Sequence, residues 1–470
     1  MQNIDPLILK HLANMKPELY WLDEDPQEPE ANPTLVGDLT TDLCIVGAGY
    51  TGLWAALIAK EQDPSRDVVV LEQRETGAGA SGRNGGFCSY SLTHGFMNGY
   101  NRFKSEMNVI EKLGRENLEA IENTVKKYNI DCQFERNGEL RIAVENWQIA
   151  SLESEAALRN SFGDHVQVLD ELSTRNKINT PLAKAALWDP DGTAMIDPAR
   201  LVWGLERACL SLGVKIFEHT QVQKLNRYSD GVIARTPYGS VYAKKIALAT
   251  NVYKSLIKSA HKYVVPVYDF QLVTEPLSKA QLDSIGWKGR EGLSDAGNQF
   301  HYYRITRDNE ILWGGYDAIY NFRGKVRQEY EADAQTYAKL AKSFLETFPQ
   351  LEGIKFTHGW GGAIDTCSRF SPFWGTAFDG NVAYVLGYTG LGVGSTRFGA
   401  QVMLDLLDGR KNERTELKMV KKKPFPFPPE PLRYFFIRFT QWSISQADKN
   451  NGRRNFWLKF LDAIGLGFDS

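Results

Sequence analysis

One short motif constrains this chain more than any other: Gly47-Ala-Gly49-Tyr-Thr-Gly52 follows an apolar run at 41–46 and opens a helical pattern over 52–62. A second apolar run covers 68–71, and Glu72 stands at its end, 20 residues beyond the last glycine. Strand, glycine turn, helix and strand with a terminal acid make the βαβ unit that binds a dinucleotide. Gly47 permits the tight turn, Gly49 leaves the backbone bare where a pyrophosphate approaches, and Gly52 lets the helix lie close to the sheet. The helix N-terminus offers amide donors and partial positive charge to the phosphates, and Glu72 accepts hydrogen bonds from a ribose diol.

Glycine is also the one compositional outlier, 41 of 470 residues. The 55 Lys and Arg against 57 Asp and Glu lack the basic excess of a dedicated nucleic-acid binder. Five scattered cysteines (Cys44, Cys88, Cys132, Cys209, Cys367) form no CxxC and no zinc spacing with the seven histidines, so neither a metal site nor structural disulfides are expected. The N-terminus has no signal-peptide pattern, and the apolar run 43–59 is too short and too glycine-broken to span a membrane. A cytoplasmic location follows as an expectation.

Residues 1–40 are polar and proline-bearing, an arm expected over the first domain. Helices are expected at 101–128, 147–160, 198–212, 330–348 and 394–407, and strands at 139–144, 215–217, 221–225, 231–236, 242–249 and 381–386. Between 264 and 316 the pattern alternates as in an antiparallel sheet with one buried face. The fold class is α/β, α+β overall: a split Rossmann-like nucleotide domain with an inserted antiparallel-sheet substrate domain. The expected division is 1–100, 191–262 and 356–412 for the nucleotide domain, 101–190 and 263–355 for the substrate domain, and 413–470 for a tail.

A second glycine cluster, residues 77–86 (GAGASGRNGG), places five glycines in ten residues directly after Glu72, with Ser81, Arg83 and Asn84 between them. Such a loop sets backbone amides against an anionic ligand, and a nicotinamide domain alone does not need it. These stretches, together with GWGGAIDTCSRFSPFWG and VAYVLGYTGLGVGSTRFGAQVMLDLLDG, resemble the D-amino-acid-oxidase-like (DAO) flavoprotein family over roughly residues 17–412. Its branches include glycine oxidase, sarcosine oxidase and, nearest in the GASGRNGG loop, gamma-glutamylputrescine oxidase.

The resemblance implies FAD as cofactor and oxidation of a carbon–nitrogen bond of an amine or amino acid to an imine, which water hydrolyses. It implies that Gly47, Gly49, Tyr50, Thr51 and Gly52 hold the pyrophosphate and Glu72, Gln73 and Arg74 the adenosine side. Gly79, Ala80 and Ser81 line phosphate and ribityl, while Arg83, Asn84, Gly85 and Gly86 run toward the flavin. Val222 meets the adenine, Ala249, Thr250 and Asn251 pass under the nucleotide, and Gly390, Leu391, Gly392 and Val393 lie at the pyrimidine edge. There the helix opening near Gly394 sets its positive end where charge collects on reduction.

Two departures matter. Relatives place a carboxylate-binding arginine in the strand matching Gly359-Trp-Gly-Gly362, and here that strand has none; Arg304, Arg369 and Arg397 are the candidate replacements. Cys367 is displaced from the position that tethers FAD in sarcosine oxidases, so non-covalent FAD is expected. Tyr302 and Arg304 share one strand face, with Tyr253, Tyr268, Trp313 and Trp360 as further wall material; Tyr302, Arg304 and Asn84 are the candidates for positioning substrate.

Oxygen is the expected acceptor, giving hydrogen peroxide. A flavin monooxygenase would need a second nucleotide motif, which is not found. A dehydrogenase passing electrons to a quinone fits the tail, where Tyr434, Phe435, Phe439, Trp442, Phe456, Trp457 and Phe460 and basic flanks follow the proline stretch 424–431. That tail suits packing on the body, a subunit interface, or peripheral membrane contact.

Overall fold

The computed structural model describes residues 5–23 and 25–467. Strand Gly37–Val46 is flanked by two parallel neighbours, Gly239–Leu248 and Val68–Leu71, so residues 43–46 are buried on both faces and read as one apolar run. Lys215–Phe217 extends this sheet in parallel beyond Val68–Leu71, and Val382–Leu386 extends it beyond Gly239–Leu248. An antiparallel Phe373–Ala377 closes that side, and the ribbon Lys224–Tyr228 with Gly231–Arg235 hangs from Gly239–Leu248. Helix Tyr50–Gln62 is buried from residue 50 to 59, packed between helices Pro198–Ser211 and Gly392–Leu407, which is why its sequence is almost uniformly apolar rather than striped.

The second sheet runs in the order Phe356–Cys367, Val264–Thr274, Ile311–Gly315, His301–Ile305, Gly292–Asp295, Glu139–Ala143, Ala185–Asp189, Gln167–Asp170. Its pairs are antiparallel except Gly292–Asp295 with Glu139–Ala143, which is parallel. Helix Ala334–Thr347 covers one face over a core of Tyr268, Phe270, Leu272, Trp313 and Phe344. Strand Phe356–Cys367 pairs with Val264–Thr274 over eleven positions, so the chain returns to the first sheet at Phe373 and not at 356.

Several expectations shift. The helix expected over 101–128 is two helices, Gly95–Phe103 and Met107–Lys127, joined by a tight turn at Lys104–Glu106. Phe103, Met107 and Ile110 stay in phase across that turn, which hides it from periodicity. The strand expected at 221–225 begins at Lys224, because residues 220–222 leave the sheet to border a cavity. The N-terminal arm does not lie over the first sheet alone: helix Pro6–Leu12 packs on Ala334–Thr347 and Phe356–Cys367, whereas Leu35 joins the first sheet's core. Between them Trp21 is buried, its ring against Tyr20 and the Arg304 guanidinium, its Nε1 donating to Asn84 O at 2.9 Å.

Trp21→Ala removes that wedge and leaves the Asn84 carbonyl without its donor. It is expected to lower the free energy of unfolding by about 3–5 kcal/mol, read as a leftward shift of the urea unfolding curve.

Candidate functional site

A cavity of about 670 Å³ opens at the ends of the first sheet's strands. Gly47, Gly49, Tyr50, Thr51, Glu72, Gln73, Arg74, Gly79, Ala80, Ser81, Val222, Ala249, Thr250 and Asn251 all border it. Gly47 has φ +106°, and a Cβ there would lie 2.6 Å from Ala249 O, so only glycine lets the two strand ends approach. Gly52 does not border the cavity; a Cβ on it would sit 1.8 Å from Gly47 O, which keeps helix against turn. Glu72 accepts from Ala48 N at 2.8 Å and Arg74 N at 3.0 Å, and burial raises its carboxyl. Ser81 Oγ accepts from Tyr50 N at 2.9 Å and would lie 2.8 Å from a Cβ on Gly49. Bare backbone at Gly49, a small hydroxyl and the first amide of a helix fit the pyrophosphate of FAD.

A second cavity, about 930 Å³, adjoins the first, with Tyr50, Ala80, Ser81, Asn251 and Thr396 bordering both. Arg83, Asn84 and Gly85 form one wall and Gly390, Leu391, Gly392 and Val393 another, with helix Gly392–Leu407 starting there. The first wall is pinned by the second sheet: Arg83 O accepts from Gln271 Nε2 at 3.0 Å and Trp360 Nε1 at 2.9 Å. The other wall hangs on Asp365, whose Oδ2 accepts from Gly387 N at 2.6 Å; burial pushes this carboxyl up to about 7.

Asn84 is not free to position substrate. Its amide donates to Ala80 O at 3.1 Å and Ser81 O at 2.8 Å and accepts from Gly86 N at 2.9 Å, so it braces its own loop. Gly86 is likewise absent from the lining, since a Cβ there would meet Ile196 O at 2.2 Å. Arg83 borders the cavity but pairs with Glu331 at 2.6 Å.

Tyr302 lines the second cavity and donates to Asp269 Oδ2 at 2.6 Å. Arg304, two residues on, does not line it: its guanidinium is buried behind Gly86, donating to Ile196 O at 2.5 Å, and burial lowers it to about 10. Arg369 spends its donors on the carbonyls of Pro372, Met419 and Lys422, and Arg397 lies over Trp54 near Asn117. None of the three replacement arginines reaches the cavity. The aromatic wall is corrected too. Tyr268, Trp313 and Trp360 are buried in the cores, and Tyr253 borders the first cavity, where it accepts from Arg74.

The alternation of Val264–Thr274 explains this. With Tyr268, Phe270 and Leu272 in the core, Val265, Val267, Asp269 and Gln271 face the cavity. Asp269 and Gln271 were the missed residues, and an acid inside VVPVYDFQLVT was the available signal. Burial pushes the Asp269 carboxyl up to about 6, and the buried Gln271 Oε1 has no hydrogen-bond partner. Cys367 is buried and its thiol donates to Ser371 O at 3.2 Å; burial raises its pKa, which disfavours a nucleophilic thiolate. No group of three or more His, Cys, Asp or Glu able to hold a metal occurs among the described residues.

The family model described as "FAD dependent oxidoreductase" matches residues 42–406. The chain is 32% identical over 409 residues to gamma-glutamylputrescine oxidoreductase of Escherichia coli K12, covering 84% of this chain and 89% of the relative. It is 28% identical over 402 residues to the probable oxidoreductase OrdL of Haemophilus influenzae, covering 83% and 88%. Glycine oxidase from Geobacillus kaustophilus shares the fold with TM-score 0.65 at 16% identity, over 80% of this chain and 96% of that one. L-proline dehydrogenase from P. horikoshii does so with TM-score 0.66 at 16% identity, over 81% and 96%.

Gly49→Val fills the space before the Ser81 hydroxyl and is expected to weaken FAD binding by at least about a hundredfold, measured by flavin fluorescence titration, with the far-ultraviolet dichroism unchanged. Asp365 holds its proton more tightly folded than the ordinary value of 3.8 allows. Its contribution to stability therefore falls as pH rises from about 4 to about 7 and is level above. Asp365→Asn is expected to flatten that part of the stability–pH curve, measured by denaturant unfolding at saturating FAD.

Proposed function

Because the chain belongs to the FAD dependent oxidoreductase family, with FAD as its cofactor, we propose that it oxidises the C–N bond of an amine carrying no carboxylate on the reacting carbon, using oxygen as acceptor and non-covalent FAD. The observation that carries this reading is the partly buried Asp269–Tyr302 pair in the wall of the second cavity, on a strand face where no arginine stands. The relative from Escherichia coli, named for gamma-glutamylputrescine, supports an amine over a simple amino acid.

FAD supplies the hydride acceptor at its N5 when bound. The remaining work falls to side chains. Above pH about 6 the Asp269 carboxylate is ionised, attracts a cationic amine and can accept its N–H proton so that the neutral amine gives up hydride, and Tyr302 Oη holds one of the carboxylate oxygens so that the charge has a fixed direction. Gln271 borders the same face and ties it to the glycine loop through Arg83 O. Val265, Val267, Phe436 and Ile437 border the same space and displace water from around the reacting carbon. Bound substrate is thereby oriented by charge at its nitrogen rather than by a carboxylate clamp.

Anaerobic mixing with a panel of alkylamines, acylated diamines and D- and L-amino acids tests the reading through loss of the oxidised-flavin absorbance. Amines without an α-carboxylate are expected to bleach the flavin, and bleaching by amino acids alone would refute the proposal. Peroxide on readmitting air is the expected second result; its absence, with turnover on artificial acceptors, would favour a dehydrogenase. KM for the amine is expected to fall as pH rises through about 6. Asp269→Asn is expected to abolish that dependence and raise KM by roughly tenfold or more.

A further inference from the structure

We propose that the outer face of the C-terminal helix pair docks on an anionic lipid bilayer surface. The pair, Leu432–Lys449 and Phe456–Ala463, lies beyond residues 42–406 matched by the family model, so it is an addition to the flavoprotein body.

Its inner face is fully used. Asp448 accepts from Asn298 Nδ2 at 2.6 Å and Gln299 N at 2.9 Å, Ile437 packs with Val265 and Tyr320, and Gly452 leaves room for Trp147. These contacts fix the helices against the second cavity, which Phe436, Ile437 and Trp442 help to wall. Packing on the body, one of the roles open from sequence, accounts for this face alone.

The outer face is largely exposed. Phe435, Phe439 and Trp442 follow one another at i, i+4 and i+7 and are 66%, 47% and 53% exposed; Phe456 is 86% exposed and Phe460 45%. Four rings join into one patch, with Phe435 and Phe456 exposed on the same two helices: Phe439 stacks on Trp442 at 5.5 Å and meets Trp457 at 5.5 Å, and Trp457 meets Phe460 at 6.0 Å. A contiguous apolar patch of this kind marks an interaction surface.

Charge selects the occupant. Residues 410–470 hold 13 Lys and Arg against 6 Asp and Glu, whereas the remaining 409 residues hold 42 against 51. The short tail is thus net +7 on a body of net −9. Arg438, Lys449, Arg453 and Lys459 are exposed around the aromatic patch. In a two-fold contact with a second copy these cations would face one another without a counter-charge, whereas anionic headgroups neutralise them while aromatic rings enter the interfacial layer. No helix among the described residues is long and apolar enough to cross a membrane, so attachment is peripheral.

The test is flotation of full-length, FAD-loaded protein with vesicles of phosphatidylcholine alone or of phosphatidylcholine with phosphatidylglycerol. Wild type is expected to bind the anionic vesicles at roughly a tenth or less of the lipid needed with neutral ones, and to be released toward 1 M salt, where screening acts within about 3 Å. F435S/F456S/F460S is expected to need at least about tenfold more anionic lipid while keeping its flavin content and amine oxidation. The charge variant R453E/K459E leaves the rings intact and is expected to abolish the preference for anionic lipid. Wild type failing to float with anionic vesicles would overturn the proposal, as would an aromatic variant that binds like wild type. So would a wild-type dimer in sedimentation velocity that the aromatic variant splits, without vesicle binding.

Discussion

Two carbonyl oxygens, those of Arg83 and Asn84, are where the separate parts of this molecule meet. Gln271 and Trp360 from the second sheet donate to the first, and Trp21 from the N-terminal arm donates to the second. A buried carbonyl without a donor costs about 1–3 kcal/mol, so these three bonds hold a glycine-rich loop that has little propensity of its own. The loop in turn sets Ser81 on the first amide of helix Tyr50–Gln62 and leaves Arg83, Asn84 and Gly85 along the second cavity. Both cavities are therefore bordered by one short segment.

The electrostatics of the site follow from that arrangement. Asp269 and Asp365 lie deep enough that burial raises both carboxyls, to about 6 and about 7, yet each has a donor, Tyr302 Oη and Gly387 N. They do different work. Asp365 ties down the turn that leads to Gly390–Val393, whereas Asp269 stands on a strand face that also carries an unpartnered amide oxygen. The arginines that could have balanced them are engaged on backbone carbonyls elsewhere, Arg304 under Gly86 and Arg369 at the root of the tail.

The aromatic residues show why reading a wall from sequence is hazardous. Tyr302 lines the cavity as its strand position suggests, but Tyr268, Trp313 and Trp360 turn into the cores. In a strand covered on both faces, alternation separates the residues into two sets without saying which set meets ligand. Side-chain volume decides it here: the rings fill the space beneath helix Ala334–Thr347, and the smaller and polar members face the cavity. The tail's amphipathic helices were legible as such, and only their docking contacts distinguish the face that walls the cavity from the face that remains exposed.

By itself the sequence determined the βαβ unit and its chemistry. Gly47, Gly49 and Gly52 act through local backbone sterics, and Glu72 through its place at a strand end, all of which short-range order specifies. It also placed the apolar strands at 41–46, 68–71, 215–217, 242–249 and 381–386 in the nucleotide domain, and these form the parallel part of the first sheet, where burial on both faces forces apolar runs. Only the tertiary structure decided that Asn84 braces a loop, that Arg304 is withdrawn, and that Asp269 faces the cavity. Those roles rest on hydrogen bonds that span from 3 residues for Asn84 to 108 for Arg304 and that leave no periodic trace in the chain.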